Sequence, residues 1–109
     1  MNFQLRVTPD FKRSFKRLTK RYRSLPAEVN ELMQQLKAQP QKGKSIGHSC
    51  YKVRLAIASK GQGKSGGARV ITYVRVVGET VFLLAIYDKS EQASITDQEV
   101  RALLVGLEE

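Results

Sequence analysis

The spacing of hydrophobic residues changes once within the first quarter of the chain. Over residues 2–7 apolar and polar side chains alternate, which predicts a short strand with one buried face. From residue 11 the apolar positions recur every three or four residues, which is the period of an amphipathic helix. Its apolar stripe is Phe11, Phe15, Leu18 and Tyr22. The preceding Thr8-Pro9-Asp10 indicates a helix start, because Thr caps free N–H groups, Pro suits the first turn and Asp favours the positive end of the helix dipole.

A second helical stripe follows after the break at Ser24-Leu25-Pro26. Its members are Val29, Leu32, Met33 and Leu36. Pro40 and Gly43 end the pattern, since neither residue continues a helix well. Two helices joined by so short a break predict a helical hairpin that lies on a flat layer.

The second half of the chain has the pattern of β-structure. Over residues 51–58 apolar side chains alternate with polar or small ones, so one face of this strand belongs to the core. The runs 69–77 and 80–87 are almost continuously apolar, as expected for interior strands that are covered on both faces. Gly78-Glu79 between them predicts a tight hairpin turn.

The last predicted element is a helix with a marked start. Thr96 and Glu99 have the spacing of a capping box, and Ile95 and Val100 flank it as a hydrophobic staple. The apolar stripe comprises Val100, Leu103, Leu104 and Leu107. The whole order is therefore β-α-α-β-β-β-α. It predicts an α+β fold in which residues 1–109 form one domain, with the helical hairpin packed on a small mixed or antiparallel sheet.

Charge adds an expectation about the partner. The 109 residues include 19 Lys and Arg against 10 Asp and Glu, for a net charge of +9. The imbalance is concentrated in residues 1–78, with 17 basic and 3 acidic residues, while residues 79–109 have 2 basic and 7 acidic ones. A strongly basic body of this size favours a polyanionic partner, most often nucleic acid or the ribosome.

Composition excludes several classes of protein. No apolar run approaches the roughly 18 residues of a membrane span, and the first residues lack a signal-peptide core, so we expect a cytoplasmic protein without membrane contact. The single cysteine, Cys50, excludes an internal disulfide framework and a cysteine-rich zinc site. With one histidine, His48, and scattered carboxylates, neither a metal nor another cofactor is expected.

The glycine-rich segment 59–67 matches parts of two nucleotide-binding motifs but fits neither. Residues 61–66 have the spacing G-x-G-x-x-G, but β-branched strand sequence follows where a dinucleotide fold needs a helix N-terminus. The near-match to a P-loop fails for the same reason, and Ala58 occupies its first glycine position. The segment remains a loop with many backbone N–H groups and two lysines, Lys60 and Lys64. Such a loop suits either phosphate binding or a solvated hairpin connection.

A second candidate set lies on the predicted strands. Lys52 and Arg54 share one face of a strand, and Arg69 opens the next one. Tyr87 and Lys89 stand at the end of the last strand. If these strands pair as a meander, the cations and the tyrosine converge beside the lysines of the glycine-rich segment. Cations gathered with little neutralising acid mark a candidate site, either for catalysis or for binding alone.

Three stretches carry the most specific pattern in the chain: residues 52–55 (KVRL), 58–73 (ASKGQGKSGGARVITY) and 83–91 (LLAIYDKSE). Together they resemble the RelE/ParE superfamily of bacterial toxins, from type II toxin–antitoxin pairs, and most closely its HigB-like branch. The order of the elements agrees with that family over nearly the whole chain. The resemblance implies a small sheet under a helical hairpin, in agreement with the fold predicted from the residue pattern.

The resemblance also implies an activity and two kinds of partner. The activity is that of a ribosome-dependent mRNA endonuclease, or mRNA interferase, which enters the 30S A site, cuts the translated mRNA and so inhibits translation. A cognate antitoxin protein would bind the toxin and block it. The implied chemistry is a metal-free attack of the ribose 2′-OH on the adjacent phosphate, which needs a base, cations for the developing charge and an acid for the 5′-oxygen.

The resemblance implies ten site residues, five catalytic (Lys60, Lys64, Arg69, Tyr87 and Lys89) and five RNA-binding (Lys52, Arg54, Gly61, Gly63 and Tyr73). Arg69 matches the strand arginine of the family and would hold the scissile phosphate, because its planar fork suits two oxygens. Lys60 and Lys64 would support the phosphate charge, and one of them would act as base. Tyr87 would stack on a nucleobase or assist proton transfer, and Lys89 would act as acid or phosphate contact. Some RelE members carry an arginine and a late tyrosine after the last strand, and residues 90–94 supply neither.

Two other functions agree with the same resemblance or the same charge. A ParE-type protein shares the fold and inhibits DNA gyrase without cutting RNA, so the fold alone does not decide between them. A non-catalytic RNA-binding module would explain the basic charge, although the loop region lacks stacking aromatic residues. The clustered lysines and arginines around residues 59–69 favour the nuclease.

Overall fold

The computed structural model describes residues 2–60 and 66–107, and these residues form one sheet with helices on both faces. The strands are β1 (Gln4–Val7), β2 (Lys44–Gly47), β3 (Cys50–Leu55), β4 (Ala68–Arg75) and β5 (Thr80–Asp88). The helices are α1 (Pro9–Arg21), α2 (Leu25–Ala38) and α3 (Asp97–Leu107), and Ala58–Lys60 form a 3-10 turn. The strand order is β1-β5-β4-β3-β2, with β1 parallel to β5 and the other neighbours antiparallel. The predicted α+β fold with a mixed sheet is therefore confirmed.

Each face of the sheet is covered by its own group of apolar side chains. The first group joins α1 and α2 to one face, and its largest fully buried members are Phe11, Leu18, Leu25, Leu36, Ile57 and Leu83. The second group lies under α3 on the other face, and its buried members are Cys50, Ile71, Phe82, Leu84, Tyr87 and Val100. Interior strands β4 and β5 are covered on both sides, as their continuous apolar runs predicted.

Both predicted helix starts are confirmed in their atomic detail. The Thr8 hydroxyl accepts a hydrogen bond from the Phe11 N–H at 3.2 Å. At the start of α3, the Thr96 N–H donates to Glu99 Oε1 at 2.9 Å and the Glu99 N–H donates to Thr96 Oγ1 at 3.1 Å. This reciprocal pair is the capping box that the spacing predicted. Among the described residues, no helix is both long and apolar enough to cross a membrane.

The sheet has one edge strand more than the sequence pattern predicted. Residues 44–47 form β2, which pairs with β3 through a turn at His48 and Ser49, where φ is 55° and 59°. The prediction missed this strand because it has four residues and Ile46 is its single apolar side chain. The turn also lacks the Asn-Gly or Asp-Gly pair that usually marks this left-handed geometry.

The hairpin between β4 and β5 is wider than predicted. The strand expected over 69–77 ends at Arg75, and residues 76–79 form the turn, closed by the Glu79 N–H donating to the Val76 carbonyl at 2.9 Å. Val76 and Val77 are consequently 68% and 84% exposed. Their apolar character suggested strand, but β4 and β5 stop pairing at Arg75 and Thr80, so these valines extend past the sheet.

A β-bulge in β5 decides which side chains reach each face. Ile71 of β4 pairs with Ala85 and the next residue, Thr72, pairs with Leu83, so Leu84 is an extra residue on β5. Side chains alternate between the two faces along a strand. Each side chain after the extra residue therefore lies on the opposite face from the one it would occupy in a regular strand. Tyr87 therefore lies under α3 with Phe82 and Leu84. The next residue, Asp88, turns to the face covered by the helical hairpin, where it contacts Tyr22.

Candidate nucleic-acid interface

Six cationic side chains line a cleft of about 410 Å³ beside β3 and β4. They are Lys42, Lys44, Lys52, Arg54, Arg69 and Lys89. Gly43, Val53 and Ala93 complete the lining, and no carboxylate belongs to the described residues around it. The predicted convergence of strand cations is therefore present for four of the expected residues, Lys52, Arg54, Arg69 and Lys89. We call this group of six cations the cationic cleft.

Strand register explains why these cations meet. Arg54 on β3 lies directly opposite Arg69 on β4, and Arg69 lies opposite Tyr87 on β5. Lys52, two residues before Arg54 and thus on the same face, is opposite Lys44 on the edge strand β2. Like charges that face each other across strands destabilise a sheet. An arrangement of this kind suits a surface that binds an anion, because the bound anion removes the repulsion.

Lys42 and Lys44 belong to the cleft but were absent from the predicted site. Their signal in the sequence was weak, since the strand that carries Lys44 was itself missed. The glycine between them holds the segment against β3. Gly43 has φ of +102°, and a Cβ at this position would lie 2.5 Å from the Lys52 carbonyl oxygen. A side chain other than hydrogen would therefore push this segment away from the cleft.

Arg69 is the innermost cation of the cleft and is only 4% exposed. Its Nη1 donates a hydrogen bond to the Ala68 carbonyl oxygen at 3.1 Å. Burial and this contact restrict the guanidinium to few orientations. A fixed, planar donor group is well suited to hold a phosphate by two oxygens.

Tyr87 lies next to Arg69 but beneath α3 rather than in the open cleft. It is 5% exposed, and its hydroxyl is buried with no hydrogen-bond partner in the described part of the chain. Burial raises the pKa of the Tyr87 hydroxyl, Arg69 lowers it and Glu99 raises it, with a net upward shift. The phenol is therefore protonated near neutral pH. Stacking on a nucleobase, which the sequence suggested, would require a more exposed ring than this position provides.

Lys60 lies in a different environment from the one predicted. Its ammonium pairs with the Asp88 carboxylate at 2.5 Å, its side chain is 9% exposed, and its Nζ lies 5.6 Å from the centre of the Tyr22 ring. Tyr22 donates its hydroxyl to the other Asp88 oxygen at 2.5 Å, and the Ser90 N–H and hydroxyl donate to Oδ1 at 2.9 and 2.8 Å. We call Tyr22, Lys60, Asp88 and Ser90 the Asp88 cluster. The expectation that Lys60 adjoins the strand cations is corrected, because a carboxylate and hydroxyl groups surround it instead.

The protonation of this cluster follows from its contacts. Burial acts to raise the pKa of Asp88, but hydrogen bonds from Lys60, Tyr22 and Ser90 outweigh it and hold that pKa well below its usual range. The Asp88 hydrogen bond in turn raises the pKa of Tyr22. Asp88 is therefore a carboxylate at neutral pH and compensates the charge of Lys60. It also fixes the end of β5, from which Tyr87 and Lys89 extend.

The remaining predicted site residues lie elsewhere. Tyr73 is at the other end of β4 from the cleft, and its ring stacks on Phe82 with 5.8 Å between the ring centres. With Arg75, Leu104 and Leu107 it lines a separate cavity of about 220 Å³. Along β4 four residues separate Tyr73 from Arg69, and the expected contact of Tyr73 with RNA stays a prediction. Lys64, Gly61 and Gly63 lie outside the described residues.

Comparisons with known proteins agree with this fold. A sequence model of the family described as "RelE toxin of RelE / RelB toxin-antitoxin system" matches residues 8–105. A mutant of the E. coli toxin RelE in the free state superposes with a TM-score of 0.62 and 14% identity, covering 85% of this chain and 90% of that one. The toxin–antitoxin complex RelBE2 from Mycobacterium tuberculosis gives a TM-score of 0.60 and 20% identity, covering 81% of this chain and 99% of the matched one.

The two solved structures establish the likeness of fold, and the family match spans most of the sequence. It includes β3, β4 and β5, which carry Lys52, Arg54, Arg69 and the Asp88 cluster's carboxylate. The HigB-like branch is a finer assignment that stays a prediction from the sequence motifs. On the extent of the family match, the chain belongs to the RelE toxin family of toxin–antitoxin systems.

Proposed function

We propose that this toxin inhibits translation by cutting mRNA on the ribosome, with the RNA backbone bound in the cationic cleft. The observation that carries the proposal is the meeting of six cations in one cleft with no carboxylate among its described lining residues. Strand pairing places Arg54 opposite Arg69, so two of these cations meet within the cleft. Phosphates are the ligands that such a row of donors suits best.

The chemistry needs the RNA to supply its own nucleophile. The ribose 2′-oxygen forms a bond to the adjacent phosphorus and gives its proton to water, while the bond from phosphorus to the 5′-oxygen breaks and that oxygen takes a proton from the acid beside it. The products are a 2′,3′-cyclic phosphate and a free 5′-hydroxyl. DNA lacks the 2′-OH and is not cut by this route. Negative charge builds on the phosphate oxygens during the reaction, so fixed cations around them lower the barrier.

We assign the central role to Arg69, with Arg54 beside it. The buried Arg69 guanidinium holds the scissile phosphate, and the exposed Arg54 binds the same or the next phosphate. Lys52 and Lys89 line the same cleft and would contact neighbouring phosphates of the RNA. Lys89 follows Asp88 in the chain and lines the cleft, and we place it as the acid or phosphate contact at the 5′-oxygen. Lys60 holds the Asp88 cluster together and is assigned no contact with RNA.

The antitoxin is the second partner in this proposal. The RelBE2 neighbour is a toxin–antitoxin complex. We propose that a cognate antitoxin likewise binds this chain and blocks the cationic cleft. An antitoxin with acidic residues would complement the cleft, because opposite potentials favour association.

Primer extension on a defined mRNA, translated in a purified system, tests the nuclease. Reactions with and without ribosomes compare the wild type with Arg69→Ala and with Arg75→Ala, a control that removes the same charge from the far end of the same strand. We expect ribosome-dependent cuts that fall by about 100-fold or more in Arg69→Ala and by less than about threefold in the control. Arg54→Gln, at an exposed position, repeats the test without the risk of unfolding.

Two outcomes would overturn the proposal. Folded wild-type protein that leaves mRNA intact in the presence of ribosomes has no such activity, and a gyrase cleavage-complex assay would then test the ParE-type alternative. Cuts that persist in both Arg69→Ala and Arg54→Gln would place the reaction outside the cationic cleft. Circular dichroism of each variant shows whether a loss of cutting reflects a loss of fold.

A further inference from the structure

A second concentration of positive charge lies on helix α1, away from the cationic cleft. Between residues 12 and 23 the chain has seven basic residues and no acidic one. Six of them form two ridges with a spacing of four residues, so each ridge runs along one side of the helix. The arginine ridge is Arg13, Arg17 and Arg21, and the lysine ridge is Lys12, Lys16 and Lys20.

The arginine ridge is paired with carboxylates. Arg13 pairs with Asp10 in the first turn of the helix. Arg17 and Arg21 both contact the Glu91 carboxylate, at 3.2 and 3.1 Å. These contacts link α1 to the segment that follows β5, so the charge of this ridge is used within the protein.

The lysine ridge differs in having no such partner. Lys12, Lys16 and Lys20 are exposed, as is Arg23 beyond the end of the helix. Within residues 2–60 and 66–107 none of these four cations lies within 4 Å of a carboxylate oxygen. Like charges four residues apart destabilise a helix, and a rise of about 6 Å separates each lysine from the next. The ridge therefore gains from an external polyanion that extends along the helix.

The lysine ridge and the cationic cleft lie on opposite faces of the sheet. Helix α1 packs through Phe11 and Leu18 on the face that belongs to the helical hairpin. Arg69 is two residues from Ile71 on β4, so both side chains lie on the opposite face, toward α3. A single RNA strand in the cleft could not also follow the outer side of α1. The two surfaces call for two separate stretches of polyanion, one on each side of the protein.

We infer that the lysine ridge binds the phosphate backbone of folded, double-stranded RNA, such as a ribosomal RNA helix, while the cleft holds the strand to be cut. This inference rests on the proposed function for the identity of the polyanion as RNA. The ridge offers point charges on a convex helix and no exposed aromatic ring, because Phe11 is buried and Phe15 is half-buried and stacked against it. Such a surface contacts phosphates and does not select bases by stacking.

Two variants of equal net charge test the inference. The ridge variant is Lys12→Gln, Lys16→Gln and Lys20→Gln, and the matched control is Arg6→Gln, Arg75→Gln and Arg101→Gln, three exposed positions on other elements. Fluorescence anisotropy measures the binding of each to a labelled RNA duplex of about 16 base pairs over a series of salt concentrations. Sedimentation with purified 30S subunits repeats the comparison. Neither assay contains translated mRNA, so its result does not depend on whether the protein cuts RNA.

We expect the ridge variant to bind the duplex at least about tenfold more weakly at 0.1 M salt. The slope of the logarithm of its binding constant against the logarithm of the salt concentration should become less steep by about 2 to 3. The control should stay within about threefold of the wild type. Equal losses in both variants would overturn the inference, since net charge alone would explain them, and so would unchanged binding by the ridge variant. A polyglutamate competitor provides a further arm. If the ridge variant loses affinity for polyglutamate but keeps it for RNA, the ridge is a surface for an acidic protein and the inference is wrong.

Discussion

Two polar regions of the molecule meet at the end of β5, and they differ in the charges that surround their lysines. In the Asp88 cluster, Lys60 is almost fully buried and its charge is compensated by a carboxylate that also holds Tyr22. In the cationic cleft, Lys52 on β3 lies opposite Lys44 on the neighbouring strand β2. Arg54 on β3 likewise lies opposite Arg69 on β4. The first arrangement compensates a buried charge, and the second places like charges opposite each other on neighbouring strands. The comparison teaches that a cation's role follows from its nearest charged neighbours.

The largest expected difference between the regions concerns stability. Asp88→Asn removes the buried charge that compensates Lys60, and we expect it to lower the free energy of unfolding by about 3–5 kcal/mol, because an unpaired ammonium is then left in a buried position. Glu91→Gln is the matched control, since it removes an exposed carboxylate that pairs with two arginines, and should cost less than about 1 kcal/mol. Urea denaturation measures both. Similar losses for the two variants would contradict the distinction between the regions.

The pH dependence of stability sharpens the same point. Asp88 has a pKa below its unfolded value, so its contribution is complete above about pH 4 and is lost as the pH falls toward its folded pKa. We expect the free energy of unfolding to decrease below pH 4 with a slope approaching about 1.4 kcal/mol per pH unit from this group alone. Denaturation curves collected between pH 6 and pH 2 should be flatter for Asp88→Asn. A wild-type curve no steeper than that of the variant would show that the cluster does not depend on the Asp88 charge.

A substitution in the cationic cleft should have the smallest effect on stability. It should nevertheless weaken the binding of RNA. Arg54→Gln removes a repulsive neighbour of Arg69, so the free energy of unfolding should stay within about 0.5 kcal/mol of the wild type or rise slightly. The affinity for single-stranded RNA should nevertheless fall by about fivefold to tenfold at low salt, since one phosphate contact is lost. Urea denaturation and anisotropy titration on the same preparation check both. A marked loss of stability would mean that Arg54 is paired like Lys60 and is not a binding residue.

Much of the fold and four of the six cations of the cleft follow from the sequence pattern. The helical stripes, the capping box at Thr96 and the pairing that brings Arg54 and Arg69 together are all local or periodic features. Edge strand β2 was missed because four residues with a single apolar side chain, Ile46, show no period, and Lys44 was missed with it. These failures have a common cause, which is that short elements are defined by their neighbours and hardly by their own residues.

The pairing of Lys60 with Asp88 was not predicted for a different reason. The run 80–87 is apolar at nearly every position, so it contains no alternation from which the two faces of β5 could be assigned. The bulge at Leu84 then reverses the faces, and the carboxylate of Asp88 turns toward Tyr22 and Lys60. The bulge itself is stabilised from outside the strand, since Thr8 Oγ1 lies 3.0 and 3.2 Å from the carbonyl oxygens of Leu83 and Leu84. A contact between residues 75 positions apart is not visible in local sequence.

The uncharged residue Gly43 contributes to the positive electrostatic potential of the cationic cleft through its backbone geometry. Its hydrogen allows the segment with Lys42 and Lys44 to lie against the backbone of β3, where a methyl group would collide with the Lys52 carbonyl. A substitution here would leave all nineteen basic residues in place and the net charge at +9. It would still spread two of the six cations away from the other four. Under the proposed function, one methyl group at this position would weaken RNA binding, and a comparison of charges alone would not reveal it.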